Sequence, residues 1–254
     1  MSARLHTIEA GPPSAAPVVL LHGFGMVAQC FSKLIQSLCQ ARHTLAFDLP
    51  GHGGSLGHPL AGSARKCAEA VVAEVEMRGV FPAHLVGHSF GGAVAVLAAI
   101  LRPGLFSNVT LLAPGGFGSE INAPLMRRHA SAQTRQEVQD CLDAMSPSTP
   151  ASAELVEIIW KMRQMPDQAH ALQALCERFL IGNAQGVLPL EKFADTGIPA
   201  RLVWGEKDPV VPAMCALLAP ACFEKIIIEG AGHMLPEEAP ARLAAIILEN
   251  PATA

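Results

Sequence analysis

Short, nearly continuous apolar runs recur along the chain: Val18-Val19-Leu20-Leu21, Thr44-Leu45-Ala46-Phe47, Leu85-Val86, Leu111-Leu112-Ala113, Leu202-Val203-Trp204 and Ile226-Ile227-Ile228. Runs of this length without polar alternation predict strands buried on both faces, as in a parallel sheet covered by helices. Between two of them Ala93 to Leu101 is uniformly apolar and stops at Arg102-Pro103, which predicts a buried helix. The alternation stops after Pro114 and resumes near Ile198. The intervening stretch is more polar and predicts helices over 130–145, 151–165 and 168–181, separated by Ser146-Pro147 and Pro166-Asp167. The pattern therefore predicts an α/β core, a mostly parallel twisted sheet flanked by helices, built from 1–116 and 196–254 and interrupted by a helical insertion over 117–195.

Candidate chemistry lies where the apolar runs end. Ala83-His84-Leu85-Val86 leads into Gly87-His88-Ser89-Phe90-Gly91 and then into the apolar helix. Gly-x-Ser-x-Gly alone is a weak pattern in a chain with 22 glycines, but strand, glycine-flanked serine and helix in that order predict a nucleophile elbow. A serine hydroxyl needs a base, and the base needs a partner that fixes its tautomer. Asp208 follows the run ending at Trp204-Gly205, and His233 follows Ile228-Glu229-Gly230-Ala231-Gly232. In an open parallel sheet the crevice lies beyond the carboxyl ends of the strands, so Ser89, Asp208 and His233 are expected to converge. No equally placed carboxylate follows Leu112-Ala113-Pro114.

From Pro17 to about Leu248 the chain resembles the α/β-hydrolase fold family, on four motifs: Leu20-Leu21-His22-Gly23-Phe24-Gly25, Asp48-Leu49-Pro50-Gly51-His52-Gly53-Gly54-Ser55, the elbow, and the Asp208/His233 pair in its Trp-Gly-x-x-Asp and Gly-x-Gly-His settings. The order Ser, Asp, His is that of the family. The resemblance implies Ser89 as nucleophile, His233 as base, Asp208 as its orienting partner, and an oxyanion hole made by the amides of Phe24 and Phe90. It leaves Asp48, His52 and His58 as loop residues, and implies a helical cap over the site. His22, Gly23, His88 and Trp160 are expected around the substrate, with Met126, Met145, Met162, Met165, Phe179 and Leu180 as further candidates for lining. The activity implied is hydrolysis of a small carboxylic ester through an acyl-enzyme. Carbon–carbon hydrolases of dicarbonyl ring-cleavage products share the triad, but commonly have Asn and Arg where this chain has His88 and Pro209. Dehalogenases and epoxide hydrolases of the fold use a carboxylate at the elbow, where this chain has Ser89. The chain is also similar to the acyltransferase domain of acetoin-cleaving complexes. Those proteins normally carry a lipoyl domain first, whereas this sequence opens almost at the hydrolase core, so a role outside such a complex is expected. A noncatalytic ligand receptor on the same fold is the reading from a different class.

With 254 residues the chain is long enough for one domain with an insertion. Charged residues make up 16% and the net charge is −4, which argues against nucleic acid or anionic lipid as a partner. No uninterrupted stretch approaches the roughly 20 apolar residues of a membrane span. Met1 to Ile8 lacks a signal-peptide core, so a cytoplasmic location is expected. The seven cysteines have no Cys-x-x-Cys spacing and their number is odd, so they are expected as small buried hydrophobes. No metal or organic cofactor is implied, and the expected partner is a small-molecule substrate handled by a monomer or homodimer.

Overall fold

The computed structural model describes residues 3–249. Met1, Ser2 and the last five positions of the 196–254 segment lie outside the described residues. The chain opens with β1 (Thr7–Ala10) and β2 (Pro17–Leu21), then α1 (Ser32–Leu38), β3 (His43–Phe47), α2 (Ala64–Arg78), β4 (Ala83–His88), α3 (Phe90–Leu101) and β5 (Phe106–Leu112). Helices α4 (Ala123–Ser131), α5 (Arg135–Met145), α6 (Ala153–Arg163) and α7 (Gln168–Phe179) follow, then the small hairpin β6 (Leu180–Ile181) and β7 (Ala184–Gln185) and the short α8 (Leu190–Ala194). The chain returns to the sheet with β8 (Ala200–Gly205) and β9 (Phe223–Ile228) and closes with α9 (Leu235–Glu238) and α10 (Pro240–Leu248).

Seven strands form one sheet in the order β1-β3-β2-β4-β5-β8-β9. Every neighbouring pair is parallel except β1 and β3, which are antiparallel at one edge. The central strands are buried at nearly every position, which is why they read as apolar runs instead of alternating. Strand β9, at the opposite edge from β1, alternates more, with Glu224, Lys225 and Ile227 exposed. Because β2, β4, β5, β8 and β9 run the same way, the loops after Leu21, His88, Leu112, Gly205 and Ile228 all emerge along one edge of the sheet.

The segment between β5 and β8 holds α4 to α7, but not with the expected bounds. The helix expected over 130–145 is two helices, broken at Ala132, whose backbone is extended. Thr134 then caps α5: its hydroxyl accepts from the Glu137 amide while the Glu137 carboxylate accepts from the Thr134 amide. The helix expected over 168–181 ends at Phe179, because Leu180 and Ile181 pair with Gln185 and Ala184 across a turn at Gly182. No helix among the described residues is long and apolar enough to cross a membrane.

Candidate active site

The turn between β4 and α3 places Ser89 at φ 52°, ψ −116°, a left-handed conformation that a serine rarely adopts. The strain is held by main-chain bonds: the Ser89 amide donates to Leu112 O at 2.9 Å, and its carbonyl accepts from Gly92 at 2.9 Å and Gly115 at 3.0 Å. The flanking glycines are required by proximity. A Cβ on Gly87 would lie 2.4 Å from Gly91 O, and one on Gly91 would lie 2.2 Å from Leu21 O. Only bare backbone lets α3 start this close to the ends of β4 and β2.

The Ser89 hydroxyl donates to His233 Nε2 at 2.9 Å, and His233 Nδ1 donates to Asp208 Oδ2 at 2.8 Å. Asp208 is itself fixed: Oδ1 accepts from the Val210 and Val211 amides at 2.8 and 3.0 Å, and Oδ2 also accepts from Trp204 Nε1 at 3.1 Å. Its side chain and that of His233 are almost wholly buried, at 0% and 3% exposure. With Nδ1 of His233 donating to Asp208, Nε2 is the ring nitrogen left to accept the Ser89 hydroxyl. The three residues named from sequence are therefore brought into one hydrogen-bonded series.

Beside the serine runs the loop after β2. A Cβ on Gly23 would come within 3.3 Å of Ser89 Cβ, so this loop lies against the nucleophile turn. Among the described residues neither the Phe24 nor the Phe90 amide meets an acceptor. Phe90 is the first residue of α3, whose positive end faces the same point. The loop is clamped from both sides. The Gly25 amide donates to His52 Nε2 at 3.1 Å, and the Gly25 carbonyl accepts from Arg163 on α6 at 3.4 Å. Arg163 also donates to His129 Nε2 at 3.2 Å, and burial pushes its guanidinium down to about 10.

Ser89, Phe24 and Phe90 lie on the wall of a cavity of about 290 Å³. Its other walls come from the insertion and the loops beneath it, including Ile121, Met126, Leu175, Phe179 and Leu188. Phe179 bridges insertion and core, its ring 5.1 Å from that of Phe24 and 6.0 Å from that of Phe90.

Four residues expected around the substrate are placed elsewhere. His22 faces away from the cavity: its Nε2 accepts from the Leu49 amide at 2.9 Å and its Nδ1 donates to Gly23 O at 2.8 Å. His88 points behind the elbow and donates to the main-chain oxygen of His233 at 2.9 Å, and burial pushes it down to about 3, leaving it neutral. Together with Gly23 these two line a separate small recess and not the main cavity. Trp160 lies under the Arg135 guanidinium, 4.0 Å from ring centre to charge, on the outside of the insertion. Of the further candidates, Met126 and Phe179 line the cavity, whereas Met145, Met162 and Leu180 are buried in packing and Met165 is 37% exposed.

Sequence reading missed several residues that hold the site. Glu238 accepts from the Gly232 amide at 2.7 Å and from the Ser146 hydroxyl at 2.8 Å, while the His233 amide donates to Met145 O at 2.9 Å, so the histidine loop is tied to the end of α5. Gln185 on β7 accepts from the Gly116 amide at 3.1 Å and donates to Glu120 O at 2.9 Å. Gln168 bridges Gly51 and Gly53 from the start of α7. Only Glu238 carried a signal, as an acidic residue in the first turn of a helix just after the histidine.

Comparison with known proteins agrees with this fold. The alpha/beta hydrolase family model matches residues 18–246. The dihydrolipoyllysine-residue acetyltransferase component of the acetoin cleaving system of Cupriavidus necator is 30% identical over 221 residues, covering 87% of this chain but 59% of the relative. Mouse monoacylglycerol lipase ABHD6 is 26% identical over 94% of this chain and 76% of its own length. Among solved structures, 2-hydroxy-6-oxo-6-phenylhexa-2,4-dienoate hydrolase from Rhodococcus sp. strain RHA1 superposes with a TM-score of 0.83 at 21% identity, over 96% of this chain and 93% of that one. A family pattern matched across nearly all of the sheet and both ends of the site, with the fold shared, identifies the chain as a member of the alpha/beta hydrolase family.

Proposed function

We propose that this chain hydrolyses small carboxylic esters through an acyl-enzyme on Ser89. The observation that carries the reading is the hydrogen-bonded series Ser89–His233–Asp208 opening onto an apolar cavity. In the proposed cycle His233 takes the Ser89 proton as the hydroxyl oxygen attacks the ester carbonyl. The amides of Phe24 and Phe90 receive the developing oxyanion, each worth roughly 3 kcal/mol in acyl transfer. The protonated imidazole returns its proton to the leaving alkoxide, and water repeats the sequence on the acyl-serine.

Helices α4 to α7 act in this reading as a cap that excludes water from the acyl-enzyme and shapes the acyl side of the cavity. The seven unpaired cysteines fit a reducing, cytoplasmic setting. The acetyltransferase relative favours a second reading, transfer of the acyl group from Ser89 to an acceptor other than water. The test is p-nitrophenol release from acyl esters of increasing length by wild type and Ser89→Ala. Turnover abolished by the substitution supports the reading, and a faster release on adding thiol or alcohol acceptors points to transfer. Failure to cleave any ester contradicts the proposal.

A further inference from the structure

We infer that the cavity selects esters whose end remote from the scissile carbonyl carries an anionic group, a carboxylate or a phosphate, held by Arg65 and Arg178. The inference rests on the ester-hydrolase reading and names a substrate class for the same site.

The cavity wall is mostly aromatic, aliphatic and glycine, and among the described residues Arg65 and Arg178, both exposed, are the only charged ones that line it. Among the described residues no Asp or Glu lines the cavity to neutralise them. Arg178 spends one donor on Gly62 O at 3.3 Å and has no carboxylate partner among the described residues. Among the described residues Arg65 meets only Glu69, one turn along α2, at 3.4 Å through Nε, and with both side chains largely exposed this pair is weak. Each guanidinium therefore keeps most of its five donors for something else.

The two arginines come from different parts of the fold, Arg65 from the start of α2 in the core and Arg178 from the end of α7 in the insertion. Each reaches the cavity wall from an exposed position, and these positions mark its mouth. Ser63 and Ala64, the cap and first residue of α2, line the same mouth, so the positive end of that 15-residue helix adds to the field there. This concentration of positive charge is local, because the chain as a whole carries −4. A neutral acyl tail reaching the mouth would displace water from two guanidiniums and offer nothing in return. A carboxylate or phosphate there accepts charge-assisted, forked hydrogen bonds while the methylene chain stays on the apolar walls.

The test compares p-nitrophenyl octanoate, mono-p-nitrophenyl suberate and the p-nitrophenyl ester of the matching ω-phosphonooxy acid, substrates with the same carbon chain and different far ends. The quantity read is the ratio of kcat/KM, anionic over neutral, within one enzyme preparation, so that loss of folded protein cancels. Wild type is expected to prefer an anionic ester on the order of tenfold at low salt, with the preference collapsing at about 1 M sodium chloride. The ratio is expected to fall to about one in Arg65→Gln/Arg178→Gln and to be largely kept in Arg65→Lys/Arg178→Lys. A larger preference for the phosphate ester assigns a phosphorylated substrate, and a larger preference for the suberate ester a dicarboxylic one. A wild-type ratio of one or below, or a preference that survives the double Gln variant, overturns the inference and leaves the esterase reading intact. Cleavage of none of the three, with Ser89 unlabelled by a fluorophosphonate, defeats both.

Discussion

Ser89 shows how far single residues carry the account. Its positive φ is tolerated because four main-chain bonds and two bare glycines fix the turn, and the result is a hydroxyl aimed at His233. Asp208 accepts from His233 Nδ1 at 2.8 Å, and in the proposed cycle that bond sets the tautomer of the base. Asp208→Asn would keep the size and most of the bonds of the side chain, but its amide nitrogen turned toward His233 would favour the opposite tautomer. The expected outcome is a fold unchanged by circular dichroism with kcat lowered on the order of 10³- to 10⁴-fold and KM little altered. These three residues were legible because each follows an apolar run and sits among glycines, so strand, loop and chemistry could be read together. His22, His88 and Trp160 were misread because neighbourhood in sequence does not give direction. At a sharp turn consecutive side chains diverge, and His88 ends on the far side of the elbow.

At the scale of elements the central feature is the tie between insertion and core. Glu238 in α9 joins the Gly232 amide to Ser146 at the end of α5, and Met145 O holds the His233 amide. The insertion is therefore hydrogen-bonded directly to the loop that carries His233. Glu238→Ala removes two charge-assisted bonds and is expected to lower stability by about 2 kcal/mol. It should also lower kcat more than it raises KM, read from Tm and steady-state kinetics on one ester. An unchanged kcat would show that the loop is positioned by the sheet alone. The sheet was legible as elements because buried parallel strands write themselves as apolar runs. The helices of the insertion were legible as helices but not in their bounds. The break between α4 and α5 was encoded in Thr134 and Glu137, a capping box that the apolar periodicity on either side obscured. The Leu180–Gln185 hairpin, with two residues per strand, is too short to have a periodicity at all.

The whole molecule is held by groups that acid should undo. His22, His52, His84, His88 and His129 are buried, and desolvation lowers all five, with His84 and His88 pushed down to about 3. A histidine that stays neutral in the fold but gains a proton near pH 6.5 once unfolded stabilises the fold fully above that pH. As pH falls from there toward the folded value, stability declines by up to about 1.4 kcal/mol per pH unit for each such group. Glu74 works in a lower window. Burial opposes its charge, but Arg4, Arg78 and the Leu5 amide outweigh burial and lower it, so its contribution is present above the usual glutamate range and lost only as pH drops through the folded value. Urea midpoints are therefore expected to fall already between pH 7 and 5 (roughly the upper histidine window), with a shallower fall in His84→Gln, while a flat profile down to the carboxylate range would contradict this. None of this was legible from sequence. The histidines are scattered, and their partners lie far off in the chain: His84 packs by Thr110 and Arg201 in the sheet, His88 bonds the main chain of His233, and His129 meets Arg163 within the insertion.

The central claim, an acyl group carried on Ser89, is tested most directly by mass spectrometry of protein quenched with acid during turnover of a p-nitrophenyl ester. The expected result is an adduct of the acyl mass on the peptide containing Ser89, formed in a burst with p-nitrophenol, lost as substrate is exhausted and absent from Ser89→Ala. Turnover with no adduct on that peptide, or activity retained by Ser89→Ala, would contradict it.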